Sequence, residues 1–202
     1  MERSKHSLQP ISTMDLFMCG IFGIKSSEPD DKIILVVGPS GSGKDAVVNK
    51  AAQDFKFQKL VSYTTRPRRE SDADDAHVFV TDAEYDKLKN IVAETEYHGY
   101  RYCATQEQVE SAHLYIIDPA GIDFFREKYT GRKRVIVVYI KTNIIVRLFR
   151  LCKRDGFFYA AKRIANDIKA FYGARNKSDK TISNNGNIQD ACTDIWLTLM
   201  YG

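Results

Sequence analysis

The 202-residue chain is 44% hydrophobic and 28% charged, with a formal net charge of +4, which suits one globular domain, or one with an inserted subdomain, large enough to bury a core. Lysine and arginine are spread along it rather than run together, which argues against a nucleic-acid surface, and no apolar run reaches the ~18 residues of a membrane span. Cys19, Cys103, Cys152 and Cys192 have neither CxxC nor metal-ligand spacing, so they read as free thiols of a reducing compartment, with the cytoplasm the expected location.

Residues 1–30 are polar and close on the acidic "EPDD". They read as an N-terminal extension of the poorly ordered kind common at chain ends, outside a main domain at 31–202. Within the extension, "MCGIFGI" (Met18–Ile24) is similar to the mature N-terminus of class II glutamine amidotransferases. Cys19 is internal and the following chain does not continue like that family, so the segment reads as a short apolar patch packing on the domain.

From Lys32 onward strands and helices alternate. "KIILVV" is a continuous apolar run, as in a strand buried on both faces of a parallel sheet. A helix is expected from about Gly43 to Gln53, a strand near Phe57–Val61, a basic-acidic loop over Thr64–Ala76, and a helix from about Asp82 to Lys89. "IVAETEY" and "YRYCAT" flank His98-Gly99 as a hairpin. "HLYIID" and "RVIVVYI" give two more strands, each followed by an amphipathic stretch. A long helix follows over about Phe158–Tyr172, then a short strand "KTIS" and a closing helix, Ile188–Met200. This order describes a three-layer α/β fold with a parallel sheet. The hairpin-rich segment at about 62–105 breaks the rhythm and reads as an inserted subdomain.

"GPSGSGKD", Gly38 to Asp45, follows the first strand and opens the first helix. That is the setting of a phosphate-binding loop. Glycine permits backbone turns that aim successive N–H groups inward, the helix N-terminus adds dipolar attraction for anions, and Lys44 reaches the β- and γ-phosphates. Gly38, Pro39, Ser40, Gly41, Ser42, Gly43, Lys44 and Asp45 are therefore expected to bind ATP. Where the pattern usually places a magnesium-ligating Ser or Thr, this chain has Asp45, whose carboxylate is expected to hold Mg²⁺ through water.

A second anion site is expected in "SYTTRPRRE", Ser62 to Glu70. Arg66 and Arg69 sit three apart on a loop behind a strand, placed to converge on one phosphate as forks. Two phosphate sites in one chain are what a kinase acting on a phosphorylated acceptor requires.

With these two loops in place, the chain resembles the guanylate kinase family of nucleoside monophosphate kinases over about Lys32–Met200. "GPSGSGK", "SYTTRPRR", "HVFVTDAEYDKL", "YHGYRYCAT", "IIDPAGI" and "AKRI" occur in that family's order and approximate spacing. The resemblance implies a three-layer P-loop kinase with an inserted acceptor-binding subdomain (about 62–105) and a mobile lid (about 150–163). It implies ATP-dependent conversion of a nucleoside monophosphate, (d)GMP first, to the diphosphate, with Mg²⁺. In such an enzyme Arg66, Arg69 and Tyr102 grip the acceptor's phosphate, with His77 standing where the family has a phosphate-binding tyrosine. Ser62 and Asp118 line the acceptor pocket. Lys44, Arg150, Arg154 and Arg163 surround the transferring phosphoryl group, and Asn184 lies near the ATP base. The partners implied are small-molecule nucleotides, with no nucleic acid and no membrane, for a monomer or homodimer.

Departures from the family pattern fall on the base reader. Ala93 occupies the place of the guanine-reading glutamate, with Glu94 and Glu96 beside it; Ala104, beside Thr105, replaces a small hydroxyl residue; and Ile116 replaces one of two paired acids, leaving Asp118. Ribose 1,5-bisphosphate phosphokinases are similar in "GPSGSGKD", in a histidine near His77 and in an "NN-G" segment, and need no base reader. Phage-type and small bacterial guanylate-kinase-like proteins also carry the loop aspartate. Guanylate-kinase-like modules of membrane-associated scaffolds offer a non-catalytic reading, but they typically lack the phosphate loop that is intact here.

Overall fold

The structure is a computed structural model, which describes residues 31–70, 72, 76–97 and 99–202. Its main sheet is parallel throughout and built from β1 (Lys32–Val37), β6 (Leu114–Ile116), β7 (Arg134–Lys141) and β8 (Lys180–Ser183), in the order β6-β1-β7-β8. All six residues of β1 are buried. Alternate side chains point to opposite faces of a strand, so one apolar run feeds two cores. Ile34 and Val36 pack with Val47, Val48, Ile195 and Leu199, from helices α1 (Lys44–Phe55) and α7 (Ile188–Tyr201). Ile33, Leu35 and Val37 pack on the other side with Ile122 and Phe125 of helix α4 (Pro119–Lys128). Each such side chain contributes about 1.5–3 kcal/mol on full burial, and the result is three layers with the phosphate loop at the strand's end.

A second sheet, in the order β3-β2-β5-β4, is formed by β2 (Tyr63–Thr64), β3 (Val78–Phe79), β4 (Ile91–Tyr97) and β5 (Tyr100–Thr105). β4 and β5 pair antiparallel as the expected hairpin, with a register shift between Ile91 and Ala93. The His98 half of its turn, like residues 1–30 with Cys19, lies outside the described residues. Two short helices, α2 (Asp82–Tyr85) and α3 (Gln106–Ser111), each open with a capping box, Thr81 with Glu84 and Thr105 with Gln108.

Two expectations need correcting. The strand expected at Phe57–Val61 is a single bridge, Lys59 to Leu114, because that segment meets β6 at its edge through only a few bonds, among them Leu60 N–H to Leu114 O at 2.8 Å. The helix expected to run to Lys89 stops at Tyr85. Lys87 and Leu88 bond to carbonyls three residues back, and Asn90 takes a left-handed φ of 54°, which turns the chain into β4.

Helices α5 (Ile144–Asp155) and α6 (Phe157–Ala170) form a hairpin broken at Gly156, φ 84°. Cys103, Cys152 and Cys192 are free thiols. No helix among the described residues is long and apolar enough to cross a membrane.

Candidate active site

The loop between β1 and α1 is shaped from behind. Gly41 and Gly43 take φ of 75° and 82°, a region closed to most side chains. A Cβ on Gly43 would also stand 2.5 Å from Asn184 Nδ2. Asn184 Nδ2 donates to Ser42 O at 2.8 Å, and Thr142 Oγ1 bonds both Ser42 O (3.0 Å) and Asn184 O (3.2 Å). Asn184 is 3% exposed. The amide faces inward and braces the loop, because a buried carbonyl there needs a donor. Ser42 is likewise fully buried.

A second brace comes from the helical hairpin. Asp167 of α6 accepts from Ser40 N–H (2.9 Å) and Ser40 Oγ (3.2 Å), while Arg147 of α5 donates its Nε to Ser40 O (2.8 Å) and an Nη to Asp167. Asp167 is 8% and Arg147 9% exposed. A buried ion pair thus grips both backbone polar groups of one loop residue.

Around the front of the loop lies a pocket of about 330 Å³, lined by Lys44, Asp45, Arg150, Arg154 and Arg163 together with loop glycines. The structure brings the three sequence-predicted arginines to one place. Arg150 donates to Gly41 O, Ser42 O and Asn184 O at 3.2–3.4 Å. Arg154 and Arg163 share Asp155, at 2.9 and 3.4 Å, with about half of each side chain in solvent, so both are free to turn toward an incoming anion. Asp45 is exposed, 3.7 Å from Lys44 Nζ. It also lines the adjoining cleft of about 350 Å³ with Asn49, Lys59, Ser62 and His77, so it stands where the two spaces meet. Among the described residues there is no group of three His, Cys, Asp or Glu able to hold a metal. An Mg²⁺ would fit at the exposed Asp45 carboxylate only if phosphate and water oxygens supplied its other ligands.

On the far side, a cavity of about 180 Å³ collects Ser62, His77, Glu94, Thr95, Tyr102 and Asp118, four of them expected acceptor residues. Ser62 Oγ lies 3.0 Å from His77 Nδ1, and the His77 and Tyr102 rings meet edge to face at 5.5 Å. Burial, followed by the Arg66 charge, pushes the His77 imidazole below its ordinary pKa. Asp118 caps α4, accepting from Gly121 N–H at 2.7 Å. Tyr85 Oη donates to Glu94 at 3.0 Å, and burial first raises the Tyr85 pKa.

Arg66 and Arg69 part company. Arg66 is 8% exposed, forks onto both oxygens of Asp72 (2.9 and 3.0 Å), and lies 5.4 Å from the Phe79 ring centre. Asp72 foremost, with a smaller contribution from Tyr102 of the cavity of about 180 Å³, raises the Arg66 pKa. The Arg66 fork, with the Arg69 backbone N–H, holds the Asp72 carboxyl down to about 2. Arg69 is exposed and gives that backbone N–H to Asp72 at 2.8 Å.

Sequence reasoning missed the Arg147–Asp167 brace and the Asp72 partner of Arg66. Asp167 had a faint signal, an acid four residues after Arg163 on a basic helix, whereas Asp72 looked like any acid in an acidic loop. The register shift in β4 also escaped notice, although Glu94 lies in the cavity wall that Ala93 was expected to leave bare.

Comparison with known proteins agrees with this geometry. The family model described as guanylate kinase matches residues 30–199. A guanylate kinase of Agrobacterium fabrum is 29% identical over 107 residues, 48% of this chain and 49% of that protein. One of Bartonella quintana is 28% identical over 130 residues, 58% of this chain and 59% of that protein. The chain spans about half the length of these relatives. In fold, a guanylate kinase crystal structure from Anaplasma phagocytophilum is similar, with a TM-score of 0.56 at 23% identity, over 84% of this chain and 85% of that one.

Proposed function

Since the chain belongs to the guanylate kinase family, we propose that it transfers the γ-phosphoryl group of ATP to a nucleoside monophosphate, (d)GMP first, releasing ADP and the nucleoside diphosphate. The observation that carries this reading is Asp45 at the junction of a phosphate-loop pocket and the acceptor cleft. The two spaces share that residue, while Arg66 and Arg69 line neither of them.

Phosphoryl transfer asks for positioning and for cations around spreading negative charge, with little covalent chemistry. The loop amides and Lys44 hold the donor's phosphates. Arg150 is already packed on the loop, and Arg154 and Arg163 exchange Asp155 for the phosphoryl oxygens. Asp45 would hold Mg²⁺ through water, and the ion would neutralise charge between donor and acceptor. Arg66 and Tyr102 orient the acceptor phosphate, which competes with Asp72 for the guanidinium, and exposed Arg69 adds a second cation. An acceptor phosphate is already an anionic nucleophile at neutral pH, so His77 serves as a neutral contact.

A ribose 1,5-bisphosphate acceptor needs no base reader, whereas Ser62, Glu94, Thr95 and Asp118 offer hydrogen-bonding groups suited to a base edge. An ADP-release assay with each (deoxy)nucleoside monophosphate and with ribose 1,5-bisphosphate tests the reading. Turnover greatest with GMP or dGMP supports it. Turnover with the sugar phosphate alone, or with none of the acceptors, overturns it.

A further inference from the structure

The α5–α6 hairpin turns its arginines to the donor pocket and an apolar stripe the other way. At 100° per residue, Ile145, Leu148 and Phe149 lie on the side of α5 away from Arg150 and Arg154. The stripe is unusually bare: Ile144 is 52% exposed, Ile145 73%, Phe149 72%, Phe157 63%, Phe158 87%, Ile168 65% and Tyr172 88%. With aromatics presenting about 150–250 Å² each, these residues leave roughly 900 Å² of apolar surface in water. A monomer's largest patch is usually about 300–600 Å².

The stripe also has a shape. Between the helices runs an apolar groove of about 400 Å³, whose α6 wall includes the small residues Ala161 and Ala165, one turn apart. Phe157 also lines the groove, edge to face with Phe158, and Phe149 and Phe158 project beside it. A concave groove accepts side-chain ridges rather than a flat lipid surface, and here knobs and hole occur on one face of one molecule.

We propose that this face joins a second copy of the chain about a two-fold axis, the two hairpins packing as a four-helix layer with the phenylalanines of each copy in the other's groove. A self-complementary patch is what a two-fold interface requires, and the exposed area meets the about 800 Å² per partner of a stable complex. Exposed Lys153, Lys162 and Lys169 flank the stripe on both copies. They remain at the solvated rim, where like charges repel. Salt therefore tightens this association by screening, whereas it would weaken adhesion to an anionic membrane. The inference does not depend on which acceptor the site takes.

Sedimentation of the full chain, at micromolar concentration and at low and high ionic strength, tests it. The expected result is twice the chain mass, with a dimer fraction that rises with salt. Ile145→Asp puts a carboxylate in the first turn of α5, where the helix dipole favours it, so the fold is kept. Association should weaken at least about 100-fold, because each copy must bury an unpaired charge. Phe149→Ser should weaken it as well, and thermal unfolding of both variants checks that the fold persists. A monomer at every salt concentration overturns the proposal, as do undiminished association of folded variants or salt-sensitive binding of the wild type to phosphatidylserine vesicles in place of dimerisation.

Discussion

Replacing Asp167 by alanine removes the only anion facing the buried Arg147 guanidinium among the described residues and strips Ser40 of two hydrogen bonds. Breaking a buried pair from one side costs about 3–5 kcal/mol, because a desolvated charge is left without compensation. For a domain of this size each kcal/mol lowers Tm by about 2–4 °C, so a fall of about 6–20 °C is expected by thermal unfolding. The damage should be local in function. With the Ser40 peptide loosened, KM for ATP should rise well beyond any change in the acceptor's KM. The pair Arg147→Met with Asp167→Leu adds a second reading, since apolar replacements remove the stranded charge and should leave the double variant more stable than either single one. ATP affinity should stay poor in that double variant, because neither new side chain can bond Ser40. A single variant melting within about 2 °C of wild type, or one destabilised with an unchanged KM for ATP, would refute the brace.

Arg66→Ala should raise the acceptor's KM about ten- to hundred-fold, the loss of charge-assisted bonds worth about 1.5–3 kcal/mol, and leave KM for ATP within about two-fold; equal losses on both sides would break the two-site assignment. Asp45→Ser should keep Mg²⁺-dependent ATP binding within about three-fold by calorimetry, and complete loss would mean the carboxylate ligates the metal directly. His77 titrates below its ordinary 6.5 in the fold, so the unfolded chain takes the proton more readily. Its contribution to stability is complete above pH 6.5 and is lost as pH falls through the folded value. Melting curves of His77→Gln should accordingly show a shallower loss on mild acidification than wild type, and identical slopes would contradict this.

The sequence is most legible where local chemistry dictates local shape. The "KIILVV" run, the glycine loop and the hairpin around Gly99 each carry their own instruction, and β1, the phosphate loop and the β4–β5 pair stand where they were expected. Convergence of Arg150, Arg154 and Arg163 on the loop followed from family order rather than from any local pattern. What stayed hidden depends on distant partners. Asn184 gives its amide to Ser42 O, 142 residues away in the chain, a bond that nothing in "SNNG" announces. Arg66 reads as an open fork until Asp72 closes it. The β4 register shift is likewise a property of pairing with β5, which alternation along one strand cannot reveal.

The braces behind the phosphate loop also bear on how the protein is made. The glycine turn leaves the ribosome early, but Thr142, Arg147, Asp167 and Asn184 emerge in succession far later. A nascent chain stalled before Asn184 has its anion-binding peptide already synthesised and only partly supported. Affinity for the donor should accordingly be acquired only after Asn184 has emerged, and nucleotide added during synthesis would find a competent cradle only on chains extended past that residue.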